Sequence, residues 1–428
     1  MLKDDKAGLE CCPTAAIGQR SVHDERRTFP LLPPIVNGSE SDLGDKFRAP
    51  VEVVYDYTKI DPAMFDGIRP GQGIDQWSPL LPPLVPGKGL GEGNTALIGI
   101  PALGAWAGIG AEVFVKDESR NPTWSHKDRL NRCTISAARL AGAPGVVVAS
   151  SGNHGASAAA YSARLGLPCI VLASSTAPPA MQTFVGAYGA VVLAVPPARR
   201  WPLMREIVEH LGFHPVSNLT EASHTGHAYG TEGYKTLAYE LFIQLGRVVP
   251  AVVLVPTGYG ELAYGVWKGF VELKLLGLTQ DLPRIVVCEA ASYGVHHRAL
   301  AAGRPAFSFR ANEPTAALSI AIEVGGHRAV AAVQRSGGEA LLVSDEEMRA
   351  AQEVMAREGL WIELAAASSI AALRKLADRP NRETRPVVCV ATSSGFKDVG
   401  VGSVPLPSCD GSWIDFVRAA RSQGLSDI

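Results

Sequence analysis

Four short stretches of this 428-residue chain put reactive or ligand-binding side chains in turns. The first, NPTWSHKDRLNR at 121–132, sets Lys127 after a proline turn and at the start of a helix-like run. A lysine there is either one more solvated charge or an amine held as a nucleophile, which requires a lowered pKa. The second, SSGNHG at 150–155, joins two hydroxyls to the amide of Asn153. The third, TGYGELAYG at 257–265, spaces Gly258, Gly260 and Gly265 so that backbone N–H groups can close on an anion at the positive end of the next helix. A phosphate is the natural guest, although an ordinary tight turn has the same glycines, and neither G-x-G-x-x-G nor the P-loop pattern is present. The fourth, TSSGFKD at 392–398, offers the hydroxyl of Thr392.

Each turn needs an element to hold it. AEVFVKDE (111–118), GVVVASS (145–151), PCIVLASS (168–175), AVVLAV (190–195), AVVLVPT (251–257), RIVVCEA (284–290) and RPVVCVATSS (385–394) are continuous apolar runs that predict strands buried on both faces. Between them, KDRLNRCTISAARLAG, HGASAAAYSARLG, APPAMQTFVGAYG, WPLMREIVEHLG, TEGYKTLAYELFIQLG and AYGVWKGFVELKLLG predict helices, most of them stopped by glycine. The alternation predicts an α/β fold with a mainly parallel sheet and right-handed crossovers, whose ligands bind beyond the carboxyl ends of the strands. The first eighty or so residues, rich in Pro, Gly and charge, predict an extended arm with short strands. The octets FPLLPPIV from Phe29 and SPLLPPLV from Ser78 predict stiff, extended backbone rather than a repeat architecture.

A net charge of −2 points to neither nucleic acid nor an acidic membrane surface. MLKDDKAGLE carries charges where a signal peptide needs apolar residues. Residues 94–111 are uncharged and long enough to span a bilayer, but their Pro, Gly and Asn predict a buried strand–turn–helix instead. Seven scattered cysteines predict reduced thiols and a cytoplasmic setting. No metal site is expected: Cys11-Cys12 lacks a second pair, and His296-His297 are adjacent and without a carboxylate cluster. Ser150-Ser151 near His154 lacks the G-x-S-x-G elbow of a hydrolase. Trp201, Trp267 and Trp361 sit in apolar helical settings and read as core.

One ligand suits all four turns. It needs a phosphate for the glycines, an aldehyde for the lysine, a ring oxygen for the amide and a ring nitrogen for the hydroxyl, and pyridoxal phosphate carries all of them. Lys127 would form the Schiff base, its pKa lowered by partial burial and cationic surroundings. Asn153 would meet the ring's phenolate oxygen and Thr392 its pyridine nitrogen.

From about residue 75 to 400 the chain resembles the threonine synthase branch of the fold-type II pyridoxal-phosphate enzymes, within the tryptophan synthase beta superfamily. The resemblance is carried, in the family's order, by GLGEGNTALI (89–98), VKDESRNPTWSHKDR (115–129), SSGNHGASAAAYSARLGLP (150–168), PTGYGELAYGVWKGF (256–270) and ATSSGFKD (391–398). It implies two open, mostly parallel twisted sheets flanked by helices, with an N-terminal extension. It further implies an arm at 1–84 packed on a large cofactor domain of 85–130 and 231–428, and a small mobile domain at 131–230 that closes over the cofactor. Lys127 is then the catalytic residue, and Ser151, Gly152 and Asn153 line the substrate carboxylate and the cofactor ring. Gly258, Tyr259, Gly260, Glu261 and Leu262 hold the cofactor phosphate. A neutral Thr392 at the pyridine nitrogen favours β or β/γ chemistry over transamination.

Several positions depart from the family pattern. Ala96 stands for a proline. Trp124 replaces a glycine and His126 an aromatic residue beside the lysine, which is expected to narrow the substrate pocket. Glu261 puts an anion in the phosphate loop. Gly230 occupies the place of the arginine that holds the phosphate of phosphohomoserine, with His224, His227 or Lys235 as stand-ins. The resemblance implies conversion of O-phosphohomoserine and water to threonine and phosphate. The departures keep open β-elimination or β-replacement on another amino acid, dehydratase-like or cysteate synthase-like, and a non-catalytic cofactor-binding protein is the third class. The expected partners are a small amino-acid substrate and a second copy of the chain, with no nucleic acid and no membrane.

Overall fold

The computed structural model describes residues 10–41, 47–174, 179–220, 223–378, 383–398, 408–423 and 425. Most of MLKDDKAGLE, and residues 175–178 where the run at 168–175 meets the helix after it, lie outside them.

All seven apolar runs form strands; those inside the sheets bury both faces, while Val191–Val195, at an edge of the smaller sheet, is largely exposed. A six-stranded sheet has the order Glu339–Val343, Arg284–Ala290, Val252–Pro256, Val387–Ala391, Val113–Asp117, Ala96–Gly99. Its pairings are parallel except for Ala96–Gly99, which runs antiparallel along one edge. Val253, Val255, Val287 and Val388 belong to the core on one face, and Val252, Leu254, Val286 and Val387 to the core on the other. A second, four-stranded parallel sheet has the order Val191–Val195, Cys169–Ser174, Val146–Val148, His214–Pro215. The strands left unforeseen are short or lie at sheet edges, where a continuous apolar run is not required.

Residues 94–111 contain the strand Ala96–Gly99 and the helix Pro101–Ala107, so the strand–turn–helix forms, with a half-exposed edge strand in place of a buried one. Among the described residues no helix is long and apolar enough to cross a membrane. All seven cysteines are free thiols.

The arm contributes a three-stranded antiparallel sheet of Thr28–Phe29, Ala16–Ser21 and Val51–Tyr55. Glu232, on the helix Ala228–Gln244, accepts from the Val53 amide at 3.2 Å and the Tyr55 hydroxyl at 3.1 Å. Lys268 donates to the Val53 carbonyl and to Glu232, both at 2.7 Å, so the arm is tied into the core by buried, paired charge. The octet from Ser78 starts inside a 3-10 helix, Gly73–Leu80, instead of running extended. Trp77, fully buried and stacked on Phe65 at 5.2 Å, pulls that segment into the core.

The strand order brings the turns together. Val252–Pro256, Val387–Ala391 and Val113–Asp117 are neighbours, so the turns after them leave the same edge side by side. SSGNHG leaves the carboxyl end of Val146–Val148 in the other sheet.

Candidate active site

The four turns line one cavity of about 440 Å³. Lys127 is the first residue of the helix Lys127–Leu140. Its Nζ points inward and donates to the Tyr234 hydroxyl at 3.1 Å. Burial lowers its pKa; the charges that act on it are those of Glu261 and Glu363, which oppose that shift, where the sequence predicts cations that would add to it.

The helix is anchored two residues on. Arg129, fully buried, bonds Glu118 at 2.7 Å and Glu240 at 2.6 Å, and Lys116 bonds Glu240 at 2.7 Å. Burial raises the Glu240 carboxyl, but Arg129 and Lys116 outweigh it and hold the group down at about 2. This cluster fixes the lysine's helix to the sheet and to the helix Ala228–Gln244.

The lysine turn and the threonine turn are joined through backbone. The amide and Nδ1 of His126 meet the Thr392 carbonyl at 3.0 and 3.1 Å, and the Ser394 amide donates to the Trp124 carbonyl at 3.2 Å. Thr392 and His126 both line the cavity. Burial first, and then the Lys127 charge, keep the His126 ring neutral.

Asn153 opens the helix Asn153–Leu165, with Gly152 as its N-cap. Its Oδ1 accepts from Lys397 Nζ at 2.8 Å and Ser393 Oγ at 3.1 Å, and its Nδ2 donates to Glu363 at 2.7 Å. With the acceptor side of the amide satisfied by two donors, its N–H face is fixed. Ser151 lines the cavity and accepts from the Ser174 amide.

The glycine turn ends at the helix Glu261–Leu275, whose first N–H groups have no acceptor within the helix. Gly260 has φ +85°, and a Cβ there would lie 2.7 Å from the Ala329 backbone nitrogen, so only glycine suits the position. The Gly258 carbonyl accepts from His296 Nε2 at 2.7 Å, which gives that histidine a bracing role. Tyr259 stacks on His224 with ring centroids 3.9 Å apart. The Glu261 carboxylate turns toward the His227 amide, 3.4 Å away, and crowds Gly226 beside Arg328, away from the open N–H groups. Leu262 is buried beneath the turn.

Other anticipated residues lie elsewhere. Trp124, at φ 62°, is outside this cavity; it packs edge-on against Phe184 and lines a second, outer pocket with Trp361 and Phe396. It therefore does not narrow the cavity. A Cβ on Gly230 would sit 2.8 Å from Leu130 Cγ, so this position packs one helix on another and has no access to the cavity. His227 meets His214 at 2.9 Å, and Lys235 is paired with Glu232 and Glu272. Of the three stand-ins only His224 lines the cavity, and Trp201 lines it too, although the sequence reads as core there.

An amine, a glycine cradle with open N–H groups at a helix start, a pinned amide and a neutral hydroxyl on one wall match the needs of pyridoxal phosphate. A model of pyridoxal-phosphate dependent enzymes matches residues 89–393. The chain belongs to that family. Its relatives include the threonine synthase of Methanosarcina acetivorans, 33% identical over 81% of this chain and 86% of the relative. The threonine synthase of Methanocaldococcus jannaschii is 34% identical over 81% of this chain and 87% of its own length. Among solved structures, maize serine racemase superposes with a TM-score of 0.63 at 19% identity, covering 77% of this chain and 93% of that one. A threonine deaminase from Solanum lycopersicum does so with a TM-score of 0.60 at 20% identity, covering 77% and 83%. At those identities the likeness carries the fold alone, which is fold-type II. The chain is a pyridoxal-phosphate-dependent lyase similar to threonine synthases over most of its length.

Proposed function

We propose that this enzyme converts O-phosphohomoserine and water to threonine and phosphate. The observation that carries the reading is the Lys127 amine, buried in the cavity that the glycine turn, Asn153 and Thr392 line. Its likeness to curated threonine synthases supports the same choice.

Bound pyridoxal phosphate supplies an electron sink for negative charge at the substrate's α-carbon. Lys127 would hold the cofactor covalently at rest and, once displaced by substrate, take and return protons at the α-carbon and its neighbours. Burial lowers the pKa of that amine, which favours the neutral form that can accept a proton. Ser151 and Gly152 would bind the α-carboxylate. The N–H groups opening Glu261–Leu275 would hold the cofactor phosphate, Asn153 the ring oxygen and Thr392 the ring nitrogen. Lys397 and Ser393 position the Asn153 amide for that contact.

One observation favours a second reading. Gly230 has no room for an arginine, so a phosphate-bearing substrate cannot be gripped from that position. β-Elimination or β-replacement on an unphosphorylated amino acid is the alternative. We further propose that residues 131–230 form the smaller domain and close on the larger one, and that the enzyme works as a cytoplasmic homodimer.

The deciding experiment adds O-phosphohomoserine, threonine, serine and O-phosphoserine separately to the purified holoenzyme. Equimolar threonine and phosphate from the first supports the synthase. Oxoacid from threonine or serine, without turnover of the first, supports the alternative. A colourless protein left unlabelled by borohydride would remove both.

A further inference from the structure

Arg200 opens the helix Arg200–Leu211, beside the four-stranded sheet, and lines the cavity that holds Lys127. Its Nε is buried without a hydrogen-bond partner. Among the described residues its guanidinium makes no hydrogen bond or ion pair, although Glu261, Glu363 and Asp398 line the same cavity. Arg200 is half-buried: its Nε is shut away from water and the rest of the fork has no acceptor among the described residues, an arrangement that suits an anion the chain does not supply.

Two anions of the proposed chemistry already have partners. The cofactor phosphate has the N–H groups opening Glu261–Leu275, and the α-carboxylate has the turn at Ser151 and Gly152. Arg200 comes from neither turn. It lies near enough to the glycine turn for its charge to bear on the Tyr259 phenol. A planar fork of donors there suits a second oxyanion at the far end of the substrate side chain.

We propose that Arg200 is the specificity-determining residue of this site and grips a distal phosphate ester on the amino-acid substrate. The proposal rests on the Lys127 cavity being the cofactor and substrate site. It supplies, from another element, the cation for which Gly230 has no space. Because Arg200 and the glycine turn attach to different sheets, a ligand carrying both charges would bridge the cleft between them.

The test compares wild-type holoenzyme with Arg200→Gln and Arg200→Lys. Cofactor affinity is read from the visible band, and kcat/KM is measured on O-phosphohomoserine, O-phosphoserine, threonine and serine, with inorganic phosphate as a competitive probe. Arg200→Gln is expected to keep cofactor affinity and any turnover of threonine or serine within about threefold. It should lose about 10- to 100-fold in kcat/KM on the phosphorylated substrate, mainly through KM, and with it inhibition by inorganic phosphate; Arg200→Lys should recover part of both. Loss of cofactor in Arg200→Gln would overturn the proposal by assigning the guanidinium to the cofactor. Equal losses on all substrates would overturn it in favour of the α-carboxylate or a structural role. Wild-type enzyme that neither binds phosphorylated amino acids nor responds to phosphate would also overturn it. A wild-type enzyme that binds a phosphorylated amino acid through Arg200 but forms no threonine would instead sink the synthase reading and leave Arg200 in place.

Discussion

Lys127 Nζ rests 3.1 Å from the Tyr234 hydroxyl, on a helix whose inner face is buried from Ala228 to Phe242. The tyrosine sits in the same segment as Gly230, and it is Tyr234, not position 230, that reaches the cavity chemistry. Burial raises its phenol pKa well above the ordinary value, so it stays protonated and aims the amine without competing for its proton. Tyr234→Phe should leave the fold intact and lower kcat by about tenfold, the scale of one loosened positioning contact. Lys127→Ala should abolish the visible band and borohydride labelling. An unchanged kcat in Tyr234→Phe would show that the hydroxyl does not aim the amine.

Restoring an arginine at position 230 should fail. A side chain there starts 2.8 Å from Leu130 Cγ and 2.9 Å from Thr134 Cγ2, inside a helix crossing. Gly230→Arg should destabilise the protein by about 3 kcal/mol or more, from overpacking and a buried unpaired charge, seen as a fall in the urea midpoint. A stable variant with improved phosphohomoserine turnover would contradict the packing described here.

His296 donates to the Gly258 carbonyl and thereby fixes the first glycine of the cradle. His296→Ala should weaken cofactor binding about fivefold to tenfold, the worth of one buried hydrogen bond, with a modest loss of thermal stability. Equilibrium titration with pyridoxal phosphate measures it.

His154 gives the protein an acid-sensitive term. Burial, with the Lys127 charge second, pushes its pKa down to about 3 from 6.5. Above pH 6.5 the ring is neutral in both folded and unfolded chains. Below that, the unfolded chain binds a proton that the folded one refuses, so stability falls with pH until about pH 3. Between about pH 7.5 and 5 this one group should remove about 2 kcal/mol, and His154→Gln should reduce the drop by that amount in paired urea titrations.

The Arg129 cluster sets the register of the lysine's helix. Arg129→Met leaves Glu118 and Glu240 short of a cation at zero exposure, and should cost about 3–5 kcal/mol and lower cofactor occupancy with it. Thermal melts with and without added cofactor would separate the two effects.

The central strands and the turns after them were legible in the sequence because burial on both faces forces unbroken Val, Ile and Leu runs. Edge strands such as His214–Pro215 and Glu339–Val343 were not, since one free edge relaxes that demand. Lys127, Asn153, Thr392 and the glycines stood out because each follows such a run. Tyr234, His296, Glu363 and Arg200 arrive from elements far away in the chain, and their types look ordinary in their own segments. Trp124 misled for a related reason: proximity to Lys127 in sequence says nothing about which side of the turn a residue faces, and φ 62° turns it outward.

Val387–Ala391 is the last strand among the described residues, yet it fills the middle of the six-stranded sheet, between Val252–Pro256 and Val113–Asp117. A nascent chain that has emerged only as far as residue 380 has two half-sheets with a missing plank between them and no partner for the His126 backbone. Translation must therefore run past Ala391 before the reactive amine, encoded more than 250 residues earlier, acquires its setting.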